Sequence, residues 1–267
     1  MGFKHVALEL QTASMSADLR NSLWNIVYFF CLRNDDRRPG ESWDHSMRRF
    51  AQLSQLQFFK RPIDDLEYFP DDFVTRIKRW FFTADFFEIY DFIEWVAQFN
   101  QNSRFLEQIN SCLKKERSGY RFVGFSLAPI TNEAEIGAVN DAAVPRAGFE
   151  NVAAHIQAAI TLLSDKKNPD YRNSIKESIS AVEAAARAVA KDEKATLGDA
   201  LKQLEKLKKI HPALRDGFLK IYGYSSDADG IRHAMSELPN LNEADARFML
   251  VSCSAFSNFL IEESKES

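Results

Sequence analysis

Turn-forming residues are scarce in this 267-residue chain, which carries only ten Gly and eight Pro. So few breakers exclude a sandwich or barrel of many short strands and favour long helices. Cysteine is scarce as well. Cys31, Cys112 and Cys253 are odd in number, scattered and outside any metal-ligand spacing. They exclude a disulfide scaffold and read as small buried side chains in a reducing compartment. No run nears the roughly 18 apolar residues of a membrane span, and the opening MGFKHVALELQTAS lacks the apolar core of a secretory signal. The expected location is the cytoplasm, with no membrane partner. An excess of one charge is also missing. Lys and Arg total 34 against 38 Asp and Glu, a net −4, so nucleic-acid binding would need a local basic patch. Glycine-rich phosphate loops and G-x-S-x-G are absent. The five histidines (His5, His45, His155, His211 and His233) do not cluster at metal-ligand spacing. No cofactor or metal site is read.

What the chain has in abundance is phenylalanine, 22 copies, most of them before residue 130. They fall at helical spacing, which makes them core rather than base-stacking platforms. Helices are expected over Asp18–Leu32, Trp43–Phe59, from Pro70, through the aromatic run Phe73–Phe99 and over Ser103–Lys115, with Thr83 as a candidate cap inside the aromatic run. The period then shortens. Tyr120–Val123 and Leu127–Ile130 read as a hairpin around Gly124, with Pro129 confining the second strand to an edge. Asn132 with Glu135 reads as a capping box. The stretch Asp141–Gly148 is the expected joint, giving domains 1–144 and 145–267. Beyond it aromatics thin while alanine, lysine and leucine rise. Helices are expected from Phe149, over Tyr171–Ala190, after Thr196, from Pro212, over Ile231–Leu238 and after Asn242. The expected class is mainly α: two helical bundles with a small β-hairpin between them.

Two sets of residues are candidates for binding. Arg232 and His233 follow Gly230 at an expected helix start, where free N–H groups, a guanidinium and an imidazole suit an anion. The competing reading pairs Arg232 with Asp227 or Asp229. Between 202 and 220, Lys202, Lys206, Lys208, Lys209, Arg215 and Lys220 face only Glu205 and Asp216. That local excess suits phosphate contacts, or simply solvates a helix face. The loop Ser225–Gly230 has a calcium-loop outline, but Ser236 stands where the bidentate glutamate belongs. It reads as a helix-entry loop.

The runs NPDYRNSIKESISAVEAAARAVA, TLGDALKQLE, KIHPALRDGFLKIYGYSSDADGIRHAM and DARFMLVSCSAFSNFL resemble the HEPN-type domain found behind an AbiJ N-terminal domain of type 4. ADLRNSLWNIVYFF, WFFTADFFEIYDFIEWV and SGYRFVGFSLAPITNEAEI resemble that N-terminal domain itself. The resemblance implies a bacterial abortive-infection, anti-phage protein. Its C-terminal bundle would dimerise and bind RNA, and would cleave it without metal in the enzyme reading. Arg232 matches the family's motif arginine and His233 the polar position after it. The distal histidine falls at 237, 238 or 239, where this chain has Glu237, Leu238 and Pro239. Glu237 lies one helical turn beyond His233 and is placed to orient it. The implied set is therefore Arg232 for phosphate, His233 for acid–base work and Glu237 for tuning, with Lys206, Lys208, Lys209 and Arg215 as RNA contacts. The departure at 237–239 keeps a second reading open, a non-catalytic binding, sensor or scaffold module. A third reading, beside these, makes the Phe-rich N-terminal domain a recogniser of a phage or host protein. Arg38 and His45 meet the motif spacing formally, in an expected loop, and are read as coincidence.

Overall fold

A computed structural model describes residues 10–33, 43–224 and 241–265. It contains eleven α-helices and one two-stranded hairpin among the described residues, a mainly α fold. The chain divides into two compact units, 1–127 and 128–267.

The first unit is built on aromatic packing. Helix α1 (Ala17–Val27) starts at Ser16, whose hydroxyl accepts from the Leu19 amide, and runs on into a π-helical turn, Tyr28–Leu32. Helix α2 (His45–Leu53) starts at Asp44 and likewise ends in a π turn, Ser54–Phe58. Pro70 opens α3 (Pro70–Thr83), with Asp71 and Asp72 at the positive end of its dipole. Thr83 does not cap the next helix. Its hydroxyl bonds back to the carbonyls of Arg79 and Trp80, and Asp85 with Glu88 forms the capping box of α4 (Phe86–Asn100). Helix α5 (Ser103–Lys115) begins at Asn102. Leu19, Leu23, Phe50, Phe73, Ile77, Phe81, Phe92, Ile93 and Phe105 fill a single core. The Phe92 ring lies within 5.1–6.4 Å of the rings of Phe58, Phe59, Trp80, Phe81 and Trp95.

The hairpin is shorter than its sequence suggests: β1 covers Arg121–Val123 and β2 covers Ser126–Ala128. Gly124 turns it at φ 58°. Asn110 on α5 anchors β1, its Oδ1 accepting from the Phe122 amide at 2.8 Å. Ahead of β1, Gly119 donates to the Gln11 carbonyl at 2.9 Å, and the Gln11 amide donates to Arg117 at 2.9 Å. A Cβ at Gly119 would lie 2.6 Å from Thr12 Cγ2 and 3.2 Å from the Gln11 carbonyl oxygen. Gly119→Ala is therefore expected to cost about 1–3 kcal/mol through overpacking, read as a lowered urea midpoint for the first unit.

In the second unit, Asn132 accepts from the amides of Ala134 and Glu135 and starts α6 (Glu133–Ala143). Of the expected joint Asp141–Gly148, the first three residues close α6, and residues 144–149 lead on to α7 (Glu150–Ser164). α8 (Tyr171–Ala190) packs antiparallel on α7, and α11 (Glu243–Lys265) packs on α6, α7 and α8. Small residues allow this close approach. Ser174, Ser178, Ala181, Ala185 and Ala186 of α8 are all fully buried, and Ser174 Oγ donates to the Ala159 carbonyl at 2.8 Å. Thr196 caps α9 (Leu197–Lys206) as expected, and α9 packs on both α8 and α10 (Pro212–Tyr224). His211 caps α10 through Nδ1, which accepts from the Ala213 amide. Burial pushes the Cys253 thiol up to about 12. No helix among the described residues is long and apolar enough to cross a membrane.

Candidate nucleic-acid interface

Arg232, His233 and Glu237 lie outside the described residues, as do Ile231–Leu238 and the Ser225–Gly230 loop. The cationic set expected to touch RNA is described. Its members differ in what their charges already do. Lys206 ends α9, and the backbone then closes in a Schellman turn. The Lys209 amide donates to Leu204 and the Lys208 amide to Glu205, with Lys208 itself left-handed at φ 57°. That turn separates neighbouring lysines. Lys209 is directed onto the end of α11, where Nζ donates to the Glu263 carbonyl at 2.9 Å. Lys206 and Lys208 remain exposed, with no ion pair among the described residues.

Arg215, on α10, is held by two carboxylates. It pairs with Glu205 of α9 and with Asp216, whose Oδ1 lies 2.6 Å from Nη2. The hydrogen bond to Asp216, with the charges of Asp216 and Glu205, raises its pKa. Arg215 thus ties α10 to α9, while Lys202, Lys206, Lys208 and Lys220 carry exposed charge. A left-handed lysine costs roughly 1 kcal/mol relative to glycine. Lys208→Gly is accordingly expected to stabilise the chain by up to about 1 kcal/mol, checked by urea denaturation.

A feature that sequence spacing did not bring forward lies between α7 and α8. Gly148, Phe149, Asn151, Val152 and His155 of the α7 end face Ser180, Glu183, Ala184, Arg187, Ala188 and Lys191 across a groove of about 760 Å³. His155 Nδ1 sits 2.7 Å from Glu177 Oε2, leaving Nε2 without a partner among the described residues. Arg187 Nε donates to the Ala195 carbonyl at 2.7 Å, and its Nη2 lies 3.6 Å from Glu183. The available signal was a polar stripe at helical spacing (Glu177, Ser180, Glu183, Arg187 and Lys191) on an otherwise alanine-rich helix. Among the described residues no His, Cys, Asp and Glu side chains gather as a metal-ligand set.

The model of the AbiJ N-terminal domain 4 matches residues 1–144. The chain belongs to that family. Membership places it among abortive-infection proteins and covers the aromatic helical unit, the hairpin and α6. No curated protein and no solved structure matches the chain. The match ends before α7, so it says nothing of α7–α11.

Proposed function

We propose that this abortive-infection protein acts in the cytoplasm on RNA through a HEPN-like domain, residues 145–267. The observation that carries the reading is the pair of exposed lysines, Lys206 and Lys208, at the end of α9. Their charges are not spent inside the fold, whereas those of Lys209 and Arg215 are engaged. A duplex or single strand laid along this end would exchange counterions for lysines. In sequence, Arg232 and His233 follow in the link between α10 and α11.

The chemistry assigned to that link needs no metal. His233 takes the proton of a ribose 2′-hydroxyl, the oxygen attacks the adjacent phosphorus, and the 5′-oxygen leaves with a proton from an acid. Arg232 offsets the charge gathering on the phosphoryl oxygens, and Glu237 orients the imidazole. A second copy of the chain would supply the facing motif. The aromatic N-terminal domain would recognise the phage or host protein that triggers the response. The second reading, a non-catalytic RNA-binding or scaffold module, is favoured by the residues at 237–239, where Glu, Leu and Pro replace the distal histidine.

The test is direct. Purified protein is incubated with RNA, new ends are mapped, and phage protection is scored in cells. The enzyme reading expects cleaved ends and protection, both lost in Arg232→Ala and in His233→Ala. Cleavage that survives both substitutions rejects these roles. Protection and RNA binding without cleaved ends reject the enzyme in favour of the binding module.

A further inference from the structure

We infer that the loop ahead of α3, together with the first turn of that helix, is a docking surface for a basic segment of another protein. Such a segment sets an aliphatic side chain against Tyr68 and Phe69, and lysine or arginine against the carboxylates around them. The partner's role as trigger rests on the function proposed for the N-terminal domain. The surface itself belongs to the first unit alone.

Residues 59–69 join the π turn after α2 to α3, and they are tied down along their length. Gln55, buried on the π turn, donates through Nε2 to the Pro62 carbonyl at 3.0 Å, and its own carbonyl accepts from the Arg61 amide at 3.0 Å. Arg76 of α3 pairs with Glu67 and donates to Gln55 Oε1 at 2.9 Å. The same guanidinium lies over the Phe59 and Phe73 rings. Trp43 Nε1 donates to the Glu67 and Tyr68 carbonyls at 3.3 and 3.1 Å, with its ring 5.6 Å from that of Phe73. Leu66 packs inward on the core. A loop fastened in this way has already lost its conformational freedom on folding, so a partner meets a preformed surface at low ordering cost.

What the anchoring leaves in water is apolar and acidic. Tyr68 is 84% exposed and Ile63 50%, while Phe69, edge-to-face with Tyr68 at 4.8 Å, is 39% exposed. Exposed aromatic rings on an anchored loop add little to the core, and they offer a large, rigid contact area to a partner. Asp64, Asp65, Asp71 and Asp72 fall within four residues of Tyr68 on either side, and all are exposed. Asp64, Asp65 and Asp72 have no side-chain partner among the described residues. Against these four, Lys60 and Arg61 stand further back in the loop and leave an excess of two carboxylates. The charge of Glu67 is met by Arg76. An aromatic centre with an acidic rim repels nucleic acid and anionic lipid. It selects a protein that carries the opposite charge around an aliphatic side chain.

The experiment follows the anisotropy of a labelled Lys-Lys-Leu-Lys-Lys-Leu-Lys-Lys peptide titrated with the full chain. One control peptide has serine in place of leucine, and another has glutamate in place of lysine. Saturable binding of the first is expected at low salt, with the serine control roughly tenfold weaker and the glutamate control silent. Tyr68→Ala is expected to weaken binding about fivefold, and Tyr68→Phe to restore it. Asp64→Asn together with Asp65→Asn is expected to weaken it about threefold, whereas Glu107→Gln on α5 leaves it unchanged. Each altered side chain is exposed, so thermal melts should show every variant folded. No binding, equal binding of the serine control, or binding that survives both Tyr68→Ala and the double aspartate variant overturns the inference. Self-association that Tyr68→Ala abolishes, in a chain that ignores the peptide, gives the surface to a second copy and overturns it as well. A chain that binds the peptide but no RNA rejects only the RNA reading, and one that binds RNA but no peptide rejects only this surface. Phage protection that persists in Tyr68→Ala, with peptide binding lost, rejects the trigger role and keeps the surface.

Discussion

Reversing two charges at the end of α9, Lys206→Glu together with Lys208→Glu, is expected to lower RNA affinity roughly thirtyfold at 0.1 M salt, about 2 kcal/mol. Each lost phosphate contact removes about 0.7 from the slope of log affinity against log salt for a single strand. The double variant should therefore show a slope shallower by about 1.4, besides the offset in affinity. Stability should hardly change, because neither side chain makes an ion pair among the described residues and surface substitutions of this kind stay within about 0.5 kcal/mol. Arg215→Glu makes the contrast. Arg215 pairs with Glu205 and Asp216, so its reversal places three carboxylates together and loosens α10 from α9. It should lower the melting temperature as well as RNA binding. Filter binding, salt titration and a thermal melt on the three proteins separate a contact from a support.

The second large effect is expected in the first unit. Phe92 is fully buried and meets five aromatic rings drawn from the π turn after α2 and its flank, α3 and α4. Phe92→Ala removes a large apolar side chain at a point that several elements share, so collapse can fill little of the space. The expected cost is about 3–5 kcal/mol, roughly 10–20 °C in the melting temperature of a unit this size. Phe92→Leu keeps most of the apolar area and loses the edge-to-face contacts, and should cost only about 1–1.5 kcal/mol. A melt following aromatic ellipticity distinguishes the two. Similar costs for both would mean that ring geometry, rather than buried volume, holds the unit together.

Local signals in the sequence carried much of this architecture. Pro70, Asn132, Thr196 and Asn242 each start a helix because their side chains act within a few residues. The same locality explains the miss at Thr83. Asp85 and Glu88, three apart, form the box, and the threonine hydroxyl is satisfied by the preceding turn. Strand limits were less legible. β2 stops at Ala128 rather than reaching Ile130, since Pro129 has no amide to donate and β1 spans only Arg121–Val123. The π turns after α1 and α2 had no sequence signal.

The candidate sites divide in the same way. The excess of lysine near 206 was plain in composition. That Lys209 and Arg215 are engaged, while Lys206 and Lys208 are not, depends on contacts 54 and 10 residues away. The His155–Glu177 pair joins positions 22 apart. It becomes visible only once α7 and α8 are folded back on each other.

The proposed function has the helices that follow the AbiJ-type domain engage RNA electrostatically. Titrating the full chain with a labelled, unstructured RNA between 50 and 200 mM salt tests it most directly. Saturable binding is expected at low salt, weakening log-linearly as salt rises, with unlabelled RNA competing. Absence of binding at 50 mM, or binding indifferent to salt, would contradict it.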